Sequence, residues 1–199
     1  PRVATAPLGM RHKRLYAWFD SLQPGGEPPT PRIEIWPRGG AKSSTVELGI
    51  ARLAQRYVDG KLARNFVLYV CATQEQADQH VQAIANLLEE LGSERKLGKF
   101  GHSRGWRRNQ LRTDTGFNVA ALGLDTAARG IKFDEFRPDL IVFDDIDSEE
   151  DSPKTVAKKI QRLTKNIIPA GSTNKAILFV QNLIHEDGIV NQIYEGRAK

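Results

Sequence analysis

"IEIWPRGGAKSSTVELGIARL", residues 33–53, runs from an alternating apolar stretch through two glycines and a lysine into a helical pattern. Strand, glycine turn and a helix opening at a lysine is the order that a phosphate-binding loop requires. The spelling G-x-x-x-x-G-K-[ST] is incomplete, however. Trp36 takes the place of the first glycine, and Ala41 stands directly before Lys42.

A bound phosphate needs inward-pointing backbone N–H groups, a helix N-terminus and a counter-charge. In "PRGGAKSS" (37–44), Gly39 and Gly40 supply tight backbone geometry, and Ala41 fits the same path if its φ is negative. Lys42 is placed for the β- and γ-phosphates of a nucleotide, Ser43 for a Mg²⁺ ion, and Ser44 follows with a second hydroxyl. Arg38 is a second cation whose planar fork suits phosphate oxygens. A serine-capped helix after a glycine turn accounts for the same letters without a ligand, so the loop alone decides nothing.

The rest of the chain places that loop in a pattern. "FVLYVCA" (66–72) is a near-continuous apolar run, as in a strand buried on both faces. "DLIVFDD" (139–145) and "KAILFVQN" (175–182) have the same form, and "FNVAALGL" (117–124) pairs with "QLRT" (110–113) as a hairpin. Between them run helical stripes: Leu15, Trp18, Phe19 and Leu22; Val46, Ile50, Leu53 and Tyr57; Ala77, Val81, Ile84, Leu88 and Leu91; Val156, Ile160, Leu163 and Ile167. A last helix begins within "HEDGIVNQIYEG" (185–196), and "QPGGEPPTP" (23–31) is a loop. Alternating helices and apolar strands predict an α/β fold with a mostly parallel central β-sheet flanked by helices. Such sheets bind ligands at the carboxyl ends of their strands.

The polar residues of the apolar strands fall at those ends. Asp144 and Asp145 close one strand, where Asp144 is the candidate Mg²⁺ carboxylate and Asp145 the candidate that orients an attacking water. Asp147 and Glu149 are rivals for the second role. Gln181 and Asn182 close another strand and can hydrogen-bond a phosphate or water on one side and backbone on the other.

With 199 residues, 40% of them hydrophobic, the chain has enough material for one domain and its core. No apolar run is long enough for a membrane span, so no membrane partner is expected. The single cysteine, Cys71, lies in an apolar strand and reads as a buried side chain rather than a nucleophile. Residues 94–112 hold seven of the 29 basic residues against one of the 24 acids, which leaves 22 basic and 23 acidic residues elsewhere. The net charge of +5 therefore resides in that segment. Lys99, Arg104, Arg107 and Arg108, interleaved with Phe100 and Trp106, are its candidates for contact with DNA or a neighbouring subunit.

In "PRGGAKSS" (37–44), "ARGIKFDEFRPDLIVFDDIDSEEDS" (128–152) and "ILFVQNLIHEDGIV" (177–190), taken in that order, the chain resembles the ATPase domain of the large terminase subunit of tailed bacteriophages. The resemblance implies an ASCE/RecA-like P-loop ATPase core over 31–199, preceded by an N-terminal helix and adenine-side segment over 1–30. It implies ATP and Mg²⁺ as ligands, Arg38 as the arginine near the start of a deviant phosphate loop, and Gln181 and Asn182 at the coupling motif. The family usually has Thr, Ser or Gly at that motif, and Glu where this chain has Asp145. Trp18, Phe19 and Gln23 fall where the family contacts adenine. Arg129 and Arg137 are candidates for an arginine supplied to the neighbouring subunit's active site.

The implied biology is ATP-driven translocation of double-stranded viral DNA. The implied partners are the portal protein of the procapsid, the small terminase subunit and further copies in a ring, usually of five. The implied setting is the host cytoplasm, with transient docking on the procapsid. The start at Pro1 without methionine and the end at "EGRAK" suggest a fragment, and the nuclease domain that normally follows is expected to lie outside it. The rival functions are a helicase-type ATPase of the same fold and a DNA-binding module built on residues 94–112.

Overall fold

The structure, a computed structural model, describes residues 7–97, 106–126, 136–182 and 186–198. Its elements in chain order are α1 (Met10–Ser21), β1 (Arg32–Ile35), α2 (Lys42–Leu53), β2 (Tyr57–Val58), β3 (Lys61–Leu62), β4 (Phe66–Cys71) and α3 (Gln74–Glu90). They continue with β5 (Gln110–Arg112), β6 (Asn118–Gly123), β7 (Leu140–Asp144), α4 (Pro153–Arg162), α5 (Ile168–Ala170), β8 (Ala176–Gln181) and α6 (Ile189–Tyr194). A π-helical turn, Leu163–Ile167, joins α4 to α5.

Among the described residues six strands form one sheet in the order β1-β8-β7-β4-β6-β5, parallel throughout except for β5, which pairs antiparallel with β6. The fold is thus α/β with a mostly parallel sheet. The apolar strands read as expected because both of their faces are covered. On one face Val67, Tyr69, Cys71, Leu140, Val142, Leu178 and Val180 pack against α1, α2 and α3. On the other, Phe66, Leu68, Val70, Ile141, Phe143, Ile177 and Phe179 pack against α4 and α6. Strand alternation therefore splits one run of apolar letters between two cores.

Three stripes end sooner than their spacing predicts, the first at Leu22, the buried and extended C-cap of α1. Tyr57 lies in β2, not on α2, and is 51% exposed. The chain turns there through Asp59 and Gly60, both at positive φ (49° and 75°), into a two-residue hairpin of the Asp-Gly kind. Leu91 is the C-cap of α3 and is exposed.

The stripe Val156, Ile160, Leu163 and Ile167 is buried throughout, but the helix widens at its end. There Ile168 N–H donates to Leu163 O, five residues back. Pro169 follows; it has no N–H to give and crowds the preceding turn, which accounts for the wider turn. No helix among the described residues is long and apolar enough to cross a membrane.

Candidate functional site

β1, β7 and β8 all release their chains toward a cavity of about 850 Å³ at the carboxyl end of the sheet. Arg38, Gly39, Gly40, Ala41, Lys42, Ser43 and Ser44 form one wall, and Asp145, Asp147, Glu149 and Asn182 stand opposite. The glycine loop opens with a turn closed by Gly40 N–H to Pro37 O at 3.3 Å, in which Gly39 has φ 79°. His12 on α1 braces it. Gly9 N–H donates to His12 Nδ1 (3.1 Å), so the ring's Nε2–H is the group that donates to Gly40 O (3.0 Å). No local sequence pattern signals that brace, because its ends lie 28 residues apart.

Ala41 departs from expectation. Its φ is 53° and ψ 32°, the left-handed region, where a negative φ was required for alanine to fit without strain. It is the N-cap of α2 and offers no side-chain acceptor to the helix's first amides. α3 and α4 differ, since Thr73 and Ser152 accept from Gln76 N and Thr155 N. The amides that open α2 are thus left without a side-chain cap beside the cavity, a setting that favours an anion.

Lys42 is buried, with Nζ 2.9 Å from Asp144 Oδ1 and 2.8 Å from Asp145 Oδ1. Burial works against its charge, but the two carboxylates outweigh burial and raise its pKa. Lys42 is thus a buried ammonium at the start of α2 and not a solvated loop charge. Asp144 is fully buried behind Lys42, does not line the cavity, and accepts a second bond at Oδ2 from Tyr69 OH (2.6 Å). Asp145 stands at the front, its side chain 38% exposed and its φ 47°.

The rivals of Asp145 are otherwise engaged. Both oxygens of Asp147 accept amides at the start of α6, Ile189 N at 2.7 Å and Val190 N at 3.3 Å. Glu149 pairs at 3.0 Å with Arg38 across the mouth of the cavity, both side chains being well exposed.

Gln181 uses Oε1 to accept Ile146 N at 2.9 Å, which fixes the chain just after Asp145. Gln181 Nε2 and Asn182 Oδ1 are buried and find no hydrogen-bond partner among the described residues. Lys159 of α4, absent from the sequence-based candidates, also lines the cavity and bonds Ile146 O (3.0 Å) and Asp151 (2.6 Å). Ser43 and Ser44 sit on the first turn of α2 at the wall.

Other candidates lie away from this cluster. Trp18 packs edge-on against Phe19, with ring centroids 5.2 Å apart, and Gln23 is exposed with its carbonyl accepting from Arg64; none of the three lines the cavity. Arg137 is exposed just before β7, at the strand end opposite the cavity. Asp139, two residues further on, accepts Asn65 N and Phe66 N at 2.8 and 2.9 Å.

Arg107 and Arg108 are exposed ahead of β5, and Arg108 pairs with Asp78 at 3.2 Å. Lys99, Arg104 and Arg129 fall outside the described residues. Cys71 is buried and its thiol is pushed up by burial, which fits a core side chain.

Tyr69, His80 and Glu47 form the layer behind Asp144 that sequence reasoning missed. The three look like ordinary members of an apolar strand and of two helix faces. Only the place of Glu47 on the helix that Lys42 opens hinted at a shared environment.

No protein-family model matches the chain, and no curated protein matches it. In fold it is similar to the large terminase from a thermophilic bacteriophage, with a TM-score of 0.54 over 97% of this chain and 11% sequence identity. The chain spans 44% of that protein's length. At that identity the likeness concerns the fold, and the chain has a terminase-like α/β fold.

Proposed function

We propose that this chain is an ATPase module of the large-terminase type, an ASCE-class P-loop domain whose ATP hydrolysis drives movement of double-stranded DNA. The observation that carries the reading is Lys42. A buried lysine opens an uncapped helix at the carboxyl ends of three strands and is held between two adjacent aspartates. Such a group is placed to exchange its carboxylates for phosphate oxygens.

Each residue of the site then has a role. The first amides of α2 and the Lys42 ammonium hold the phosphates, and Arg38 reaches them when it leaves Glu149. Asp145 orients the attacking water, a role supported by its exposure and by the capping bonds that occupy Asp147. Gln181 and Asn182, with an unmet donor and acceptor, sense the phosphate end and pass its state to the loop that Gln181 already holds.

Among the described residues no group of three or more His, Cys, Asp or Glu side chains is arranged around a metal. The donors present, the Ser43 hydroxyl and the Asp144 carboxylate, are hard oxygens. That suits Mg²⁺, which is commonly held by one or two carboxylates with water and substrate phosphate completing its shell. When bound there, Mg²⁺ would neutralise charge on the transferring phosphoryl group. The proposed partners are duplex DNA, the portal protein, the small terminase subunit and neighbouring copies in a ring.

Lys42→Ala tests the site. It is expected to abolish ATP hydrolysis and also to lower the melting temperature, because it strands the buried Asp144 charge. Asp145→Asn, at a half-exposed position, is expected to keep the fold while turnover drops by about 10²- to 10³-fold. Normal turnover in either variant would sink the assignment. A strand-separation assay with the active protein separates duplex translocation, which leaves strands paired, from a helicase.

A further inference from the structure

Asp144 is the one carboxylate at the site with no exposed surface among the described residues, and the protein engages both of its oxygens. Lys42 holds Oδ1 from the front. Oδ2 is held from behind by Tyr69 on β4, itself fully buried. Burial raises the Tyr69 pKa well above its ordinary value, and the Asp144 charge raises it further, so the phenol remains a donor.

The Tyr69 ring is in turn stacked on His80 of α3, with centroids 4.9 Å apart and planes at 26°. His80 Nδ1 lies 2.6 Å from Glu47 Oε1, and its Nε2 lies 3.9 Å from Asp144 Oδ2. Glu47 belongs to α2, the helix that starts at Lys42. The side chains therefore run from the helix bearing Lys42, through α3 and β4, back to the strand bearing Asp144.

This arrangement matters once Lys42 leaves. A lysine that turns toward a phosphate removes the donor on Oδ1, and a carboxylate held only at that oxygen would be free to rotate. The bond from Tyr69 at Oδ2 keeps the group in place, with Oδ1 toward the cavity.

We propose that Tyr69, steadied by its stack on the Glu47-bound His80, is the positioning residue that holds Asp144 ready for a divalent cation arriving with nucleotide. The inference rests on the nucleotide reading above and adds to it a residue that makes no contact with nucleotide.

Tyr69→Phe is the test, since it keeps the ring and its stack and deletes only the hydroxyl. The measurement is binding of a fluorescent ATP analogue to the intact chain as Mg²⁺ is titrated, with a parallel titration in EDTA. The Mg²⁺ concentration for half-maximal binding is expected to rise about 10- to 100-fold, with affinity in EDTA unchanged. An unchanged Mg²⁺ requirement overturns the proposal. So does equal weakening with and without Mg²⁺, which would mark Tyr69 as a packing residue only.

Should Tyr69→Phe fail to fold, His80→Gln decides. It retains a donor for Glu47 but loses the stack, and a smaller rise in the Mg²⁺ requirement is expected; no rise overturns the proposal. Wild type that binds the analogue without regard to Mg²⁺, or does not bind it, refutes the nucleotide reading itself. Wild type that binds normally beside an unaltered Tyr69→Phe refutes this inference alone.

Discussion

Ala41 and Asp145 both sit at positive φ, 53° and 47°, one before Lys42 and one supplying its second carboxylate. Aspartate visits that region with some ease, whereas alanine does so at a cost of about 1–2 kcal/mol. Ala41→Gly should relieve that strain and give back part of it as chain entropy in the unfolded state. The expected net gain is about 0.5–1 kcal/mol in urea denaturation, and a loss would show that the alanine methyl makes a contact worth more than the strain.

The types of residue gathered at the cavity were legible because each ends an apolar strand or opens a helix at the carboxyl edge of the sheet. Their conformations were not: a letter says nothing of φ, and the burial of Lys42 depends on Asp144, 102 residues further on. For the same reason Tyr69 and His80 passed as packing. Stacking and a 2.6 Å hydrogen bond are properties of pairs, and each pair joins two different elements.

Among the elements, β4, β7 and β8 were readable because a strand covered on both faces must be apolar throughout. Their relative order was not, since β8 follows β7 in sequence yet lies between it and β1. The β2–β3 hairpin was announced by Asp59-Gly60, a turn signal that the helical spacing of Tyr57 overshadowed.

A register pin at the start of β7 had no such signal. Asp139 accepts the two amides that open β4, while its own N–H donates to Phe66 O at 3.0 Å. Asp139→Ala would leave two amides of this region without their acceptor, at about 1–3 kcal/mol for each that stays dry. A fall of about 2–4 kcal/mol in urea denaturation is expected, and a change below about 0.5 kcal/mol would mean that water replaces the carboxylate.

For the molecule as a whole, sequence reasoning assigned all of the excess positive charge to residues 94–112. That average hid a second basic stretch. Residues 153–182 contain Lys154, Lys158, Lys159, Arg162, Lys165 and Lys175 and no Asp or Glu. Its exposed members, Lys154, Lys158 and Lys165, lie on α4 and the turn that follows.

Assembly makes a separate prediction. If an arginine from a neighbouring copy completes the site, turnover per subunit should rise with protein concentration. A rate per subunit that stays flat across the accessible range would show that each copy works with its own residues.

The outer position of β1 has a consequence of another kind. Among the described residues β1 pairs with β8 alone, from Arg32 opposite Leu178 to Ile35 opposite Gln181. Its other side presents backbone groups outward, of which Ile35 O accepts from Arg11 at 3.3 Å. An open parallel edge is a template: a segment laid along it is aligned by backbone pairing and by the two-residue alternation of side chains, whatever its own chemistry. Since β1 runs directly into Trp36 and the glycine loop, tension or slippage on that edge would reach this loop before the rest of the cavity wall.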